Sequence, residues 1–245
     1  MIKKLRTSIK TGILVNLTLT ATAYSAPMNR IEQASRDLVS NIEMETKKAS
    51  HRHKHAKELL GKKYGASRVK SGESIAAFDT VIHQWTQGAM KGKWSHHSRA
   101  VAKAVLRESE KHHFDPVFLL AVIQSESSFN PEQIGSVGEI GLMQIRPVTA
   151  QWIAEKYNIP WKGPSSLKDP ATNIRLGSIY LAYLREKFNA HSQLYIAAYN
   201  MGITNVYRAL KKQITPKIYP TKVLGHYERF YAQLDQDINN VTDEG

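Results

Sequence analysis

Read as a pattern of apolar and polar positions, the chain is a succession of helices. Asp115 followed by Pro116 is an N-cap and first-turn pair, and Val117, Leu120, Ala121 and Gln124 continue at helical spacing towards Glu126. The same device at Asp169-Pro170 opens a helix through Ile174, Gly177, Tyr180, Leu181 and Leu184, and two more helical runs cover 194–198 and 223–234. Nearer the start, Ile31, Ala34, Leu38 and Ile42 share one helical period and Ile75, Phe78, Ile82 and Trp85 share another. Between them Gly61-Lys62-Lys63-Tyr64-Gly65 reads as a flexible joint. Sustained period-two alternation of β-branched residues does not occur, nor does a repeat of fixed period, so the expected fold class is mostly α.

The first residues change the picture. Lys3, Lys4, Arg6 and Lys10 precede an apolar stretch from Gly12 to about Thr20, too short to span a bilayer stably, and small residues follow it. This predicts a secretory signal over 1–25, cleaved after Ala23 or Ser25, and hence an exported, periplasmic or wall-associated protein with no transmembrane segment after cleavage. The remainder divides into a basic helical appendage over 26–94 and a catalytic domain over 95–240. Cysteine is absent, which excludes disulfides, thiolate zinc sites and lipid attachment to an N-terminal cysteine. The formal charge is +13, or +9 without the four basic residues of the leader. A basic exported protein meets wall polymers and lipid headgroups, and no motif for reading nucleic acid is present. Segment 28–93 holds +6 of that +9; it is expected to act as an electrostatic tether, dispensable for bond chemistry. His51, His53 and His55 alternate in a Lys-rich context, the pattern of a solvated face, so no metal and no cofactor are expected.

The candidate chemistry lies in Ile123-Gln124-Ser125-Glu126-Ser127-Ser128-Phe129-Asn130-Pro131, where an apolar helix ends in a carboxylate and Asn130-Pro131 forces a turn. A carboxyl group so placed loses solvation in its charged form, so its pKa rises and it can hold a proton at neutral pH, as a glycosidic general acid must. Downstream, Gly138-Glu139-Ile140-Gly141-Leu142-Met143-Gln144-Ile145 offers two glycines for close approach to a ligand and, in Gln144, a donor and an acceptor. Glu132 and Glu139 are possible second carboxylates, but neither follows an apolar run as Glu126 does, and both read as surface or subsite groups.

Taken in order, Glu126-Ser127, Phe129-Asn130-Pro131, Gly141-Leu142-Met143-Gln144 and Ala198-Tyr199-Asn200 with Gly202 resemble the motifs of the soluble lytic transglycosylases, which have a goose-type lysozyme fold. The resemblance covers roughly residues 95 to 235. It implies cleavage of the β-1,4 bond between N-acetylmuramic acid and N-acetylglucosamine in peptidoglycan glycan strands, leaving a 1,6-anhydromuramyl end, with Glu126 as catalytic acid and then base. It also implies substrate-facing roles for Ser127, Ser136, Met143, Gln144, Tyr199, Asn200 and Tyr219. Small relatives of this kind serve wall-spanning secretion, conjugation or flagellar assemblies. Departures from the family pattern are Gly135 where many relatives carry a serine, with Ser136 beside it, Thr215 where they often carry a glutamate, and Met201 after Ala-Tyr-Asn. Two other readings are a goose-type muramidase that uses water and a catalytically weak wall-anchoring component of a secretion machine.

Overall fold

The structure, a computed structural model, describes the backbone of residues 28–67 and 75–243, and side chains within 30–67 and 79–233. The expected signal segment lies outside the described residues, as do the side chains of Ile31, Ile75 and Phe78. Nine α-helices are described: α1 (Met28–Leu60), α2 (Ile75–Ala89), α3 (Ser98–His112), α4 (Pro116–Ser127), α5 (Pro147–Lys156), α6 (Pro170–Lys187), α7 (Ser192–Met201), α8 (Ile203–Lys211) and α9 (Ile218–Asp243). Short 3-10 helices intervene at Gly61–Ala66, Gly92–His97 and Pro164–Lys168. Among the described residues there is no strand, only isolated bridges of Ile140 with Ile134 and Ile145. Nor is any described helix long and apolar enough to cross a membrane.

Helix α4 is the core element. Pro116 through Ile123 are all buried, so this helix is apolar all round, as a helix enclosed by others must be. The Asp115 side chain caps it by accepting the Val117 N–H at 2.9 Å, and Pro116 contributes a preset φ at a position whose N–H would have no helical partner. It ends because Ser128 (φ 49°) and Phe129 (φ 64°) turn left-handed, an unfavourable pair for non-glycine residues that the burial of Phe129 enforces. Helix α9 lies along α4, while α3 packs on α6 and α2 packs on both α3 and α9. Asp169 caps α6 on the Thr172 N–H at 2.8 Å, the second of the two predicted Asp-Pro starts.

Packing divides the chain at a place the pattern does not indicate. One unit ends at Met44 and the other begins at Glu45, so the second half of α1 belongs to the same unit as the motif-bearing helices. Arg52, His55, Ala56, Leu59 and Leu60 are buried there, as are Val81, Ile82 and Met90 from and after α2. Trp85 of α2 also meets the ring of Phe230 of α9 at 5.1 Å. Residues 61–65 are not an open joint: they form a 3-10 turn, with Tyr64 packed on the core and Lys57 Nζ 5.3 Å from its ring centroid. His55 is fully buried, not solvated as its alternating context suggests, and among the described residues no His/Cys/Asp/Glu group is arranged to hold a metal.

Candidate active site

Glu126 occupies the last turn of α4, half buried, where the carbonyl end of the helix opposes negative charge. Burial raises its pKa; the Tyr219 hydroxyl, which donates to Oε1, and the nearby Lys222 pull the other way, and Glu139 adds a further upward push. Lys222 also donates to the Ser125 carbonyl at 2.6 Å, covering a backbone acceptor left unpaired at the end of α4. Burial and the negative charge of Glu126 push the Tyr219 hydroxyl well above its usual pKa, so it remains a donor. With Oε1 engaged, Oε2 is the oxygen left to carry a proton.

Tyr199 approaches from α7. Its hydroxyl donates to the Met143 carbonyl at 2.8 Å, and burial with the charge of Glu126 holds its pKa high. Ser127 is buried and donates to the Leu142 carbonyl at 2.8 Å, so it fastens the helix end to the 141–144 turn. Met143, expected to line the cleft, is fully buried with its thioether against Gly177; its backbone carbonyl is the part that meets Tyr199. Gln144, half buried at φ 47°, spends both amide hydrogens internally, on the Gln133 carbonyl at 3.0 Å and the Gly141 carbonyl at 2.9 Å. Only its carbonyl oxygen remains for a ligand, so the expected donor-and-acceptor role reduces to that of an acceptor. Ser136 and Asn200 are exposed.

One organiser of the site escaped the sequence reading. Asn173 of α6 is fully buried; its Oδ1 accepts the Met143 N–H at 2.7 Å, and its Nδ2 donates to the Ile140 and Leu167 carbonyls at 2.8 Å each. It thereby pins the 141–144 turn, at whose start Gly141 (φ 82°) leaves no room for a side chain against Asn173 and the Leu167 carbonyl. A polar residue on the buried face of a helix was the available signal.

The departure at Gly135 has a physical reason. A Cβ there would collide with the Glu139 carboxylate and lie 2.8 Å from the Gln144 carbonyl oxygen, so Glu139 fills the space above residue 135. The carboxylate is anchored in that position by the Val137 N–H at 3.2 Å. Glu132, by contrast, is an exposed group paired with Lys93 at 2.5 Å.

Comparison with known proteins places this arrangement. Residues 103–221 match the family model of the transglycosylase SLT domain. The chain is 33% identical over 146 residues to the soluble lytic murein transglycosylase of Salmonella typhimurium, covering 56% of this chain and 23% of that protein. It is 36% identical over 120 residues to membrane-bound lytic murein transglycosylase C of Serratia proteamaculans, covering 45% and 34%. Among solved structures it superposes on an inactive mutant of the lytic transglycosylase Slt from Pseudomonas aeruginosa with a TM-score of 0.51 at 28% identity, over 66% of this chain and 30% of that one. The 70 kDa soluble lytic transglycosylase of Escherichia coli gives 0.50 at 28% identity, over 64% and 28%. The chain therefore spans 23% to 34% of the length of these relatives. Residues 103–221, which hold Glu126, the 141–144 turn, Tyr199 and Tyr219, thus match the transglycosylase SLT domain, on the helical, lysozyme-like fold of the lytic transglycosylases.

Proposed function

We propose that this protein is exported and cleaves the β-1,4 bond between N-acetylmuramic acid and N-acetylglucosamine in peptidoglycan, leaving a 1,6-anhydromuramyl end. The observation that carries this reading is one carboxyl group, Glu126, at the half-buried end of an apolar helix, its pKa raised by burial and its Oε1 held by the Tyr219 hydroxyl. Glu126 donates its Oε2 proton to the glycosidic oxygen as the bond to C1 breaks, and the acetamido group of the substrate stabilises the positive charge developing there. The resulting carboxylate then takes the proton of the substrate's 6-hydroxyl as that oxygen closes on C1, which restores the acid without water. The Tyr219 donor serves the second step, because it stabilises the charged form that Glu126 must pass through. A glycosidase that uses water needs a second carboxyl group free to activate it, whereas Glu139 is tied to the Val137 N–H over Gly135.

Glu126→Gln, folded as judged by circular dichroism, is expected to lose about a hundredfold or more in release of muropeptides from isolated sacculi, the scale of a lost general acid. Mass spectrometry of the parent's products should find anhydromuramyl ends. A folded variant as active as the parent, or products heavier by one water, would overturn the assignment.

A further inference from the structure

Helix α4 carries Glu126 at one end and Asp115 at the other, and the groups around Asp115 do more than cap a helix. Asp115 is fully buried; while Oδ1 caps Val117, Oδ2 accepts the Tyr227 hydroxyl at 2.7 Å and the Tyr231 hydroxyl at 2.5 Å, both from α9. The Asp115 backbone N–H donates to Nδ1 of His55, from α1, at 3.0 Å. Because Nδ1 accepts, the ring proton sits on Nε2, which faces the Tyr195 hydroxyl of α7 at 3.1 Å. Nearby lies Glu58, whose charge helps to hold the Tyr195 pKa high and which Arg185 of α6 clamps through contacts of 2.9, 3.0 and 2.5 Å. Burial beside Arg185 keeps His55 neutral, as its accepting nitrogen requires.

A helix start needs one accepting side chain, worth about 1 kcal/mol, and solvent can supply the rest. Burying two tyrosine hydroxyls, a histidine and a carboxylate around one cap costs desolvation that apolar residues would avoid. What the cluster adds is position. Asp115 is held to Tyr227 and Tyr231 at one end of α4, and at the other Ser125 is held to Lys222 and Glu126 to Tyr219, so one helix pair is pinned twice. Twelve residues of helix make a stiff rod of roughly 18 Å. Releasing one pin lets it pivot on the other, and the side chain at its tip moves with it.

We propose that His55, Asp115, Tyr227 and Tyr231 form a brace that sets Glu126 against Tyr219 and so act as positioning residues for the cleavage described above, on which reading this inference rests. Three of the four lie outside the stretch that matches the family.

The test is made on the full chain with Tyr227→Phe/Tyr231→Phe, which removes both hydroxyls and keeps both rings. The charged and titratable groups facing Glu126 stay in place: Tyr219 and Lys222 from α9, Tyr199 from α7 and Glu139 from the loop. The expected result is a kcat lower by about tenfold with KM within about twofold, since a misplacement of an ångström is costly to chemistry and not to binding. The ¹³C carboxyl titration of Glu126 should move to higher pH as the Tyr219 bond loosens. His55→Ala should act likewise, and His55→Asn, whose carboxamide reaches the place of Nδ1, should restore most of the activity. If the double variant does not fold, Tyr227→Phe alone takes its place with the same readouts. Variants that melt earlier while kcat and the Glu126 titration match the parent would overturn the brace and leave a packing role. The titration needs no turnover. A parent that releases no muropeptides would therefore sink the functional reading alone, while the brace is still decided by Glu126.

Discussion

At the scale of single residues, the acidity of Glu126 is set by opposing neighbours. Dry surroundings and Glu139 hold the proton on, whereas Tyr219 and Lys222 favour its loss. For a group that must begin protonated, activity falls as pH rises through its pKa. Removing the Glu139 charge with Glu139→Gln should therefore shift the alkaline limb of kcat/KM to lower pH, and Lys222→Met should shift it to higher pH, each read from a pH–rate profile. Limbs that move together or stay fixed would mean that another group governs the profile. Glu139 also fills the space over Gly135. Gly135→Ser alone is expected to displace the Glu139 carboxylate and cost about 1 kcal/mol, the scale of its lost bond to the Val137 N–H, and Gly135→Ser/Glu139→Ala should recover much of it. Urea denaturation of the two single variants and the double variant measures that coupling, and additive losses would show that the two positions do not compete for space.

At the scale of elements, legibility depends on where a helix's partners come from. Helices α4 and α6 were readable because their Asp-Pro starts and apolar runs are local, and the structure caps them as the pair predicts. The second half of α1 was not. Its buried positions 52, 55, 56, 59 and 60 keep regular helical spacing, but two of the five are arginine and histidine, and the partners of that histidine, Asp115 and Tyr195, lie 60 and 140 residues away. The glycines of 61–65 misled for a related reason, because Tyr64 between them is held by the core and by Lys57. In the candidate site, Glu126 and both tyrosines were found from motif order. The inward turn of Met143 and the internal use of Gln144's hydrogens follow from Asn173 and Gly177, which touch the turn from another helix.

At the scale of the molecule, the basic charge does not sit where an appendage would carry it. Residues 28–44 hold Arg30 and Arg36 against Glu32, Asp37 and Glu43, a net −1, while Lys54, Lys57, Lys62 and Lys63 lie exposed on the unit that begins at Glu45. Removing 28–44 is therefore expected to leave turnover and low-salt retention on sacculi unchanged. Lys54→Glu/Lys62→Glu should reduce retention, by an effect that fades as salt shortens the Debye length to about 8–10 Å or less. Removing 28–65 should unfold the protein, since it takes away Leu59, Leu60 and the Glu58 partner of Arg185. Sedimentation with sacculi and thermal melts check all three, and a stable, active chain lacking 28–65 would contradict the placement of α1 in the core. Helix α9 has one more consequence, for anyone moving this chemistry between proteins. The family match ends at residue 221, four residues into that helix. A graft cut to those limits would carry every motif to its new host and leave behind Lys222, Tyr227, Tyr231 and His55. The transplantable module is the stretch from Glu45 to about Tyr231, and a shorter one works only in a host whose own helices grip Asp115.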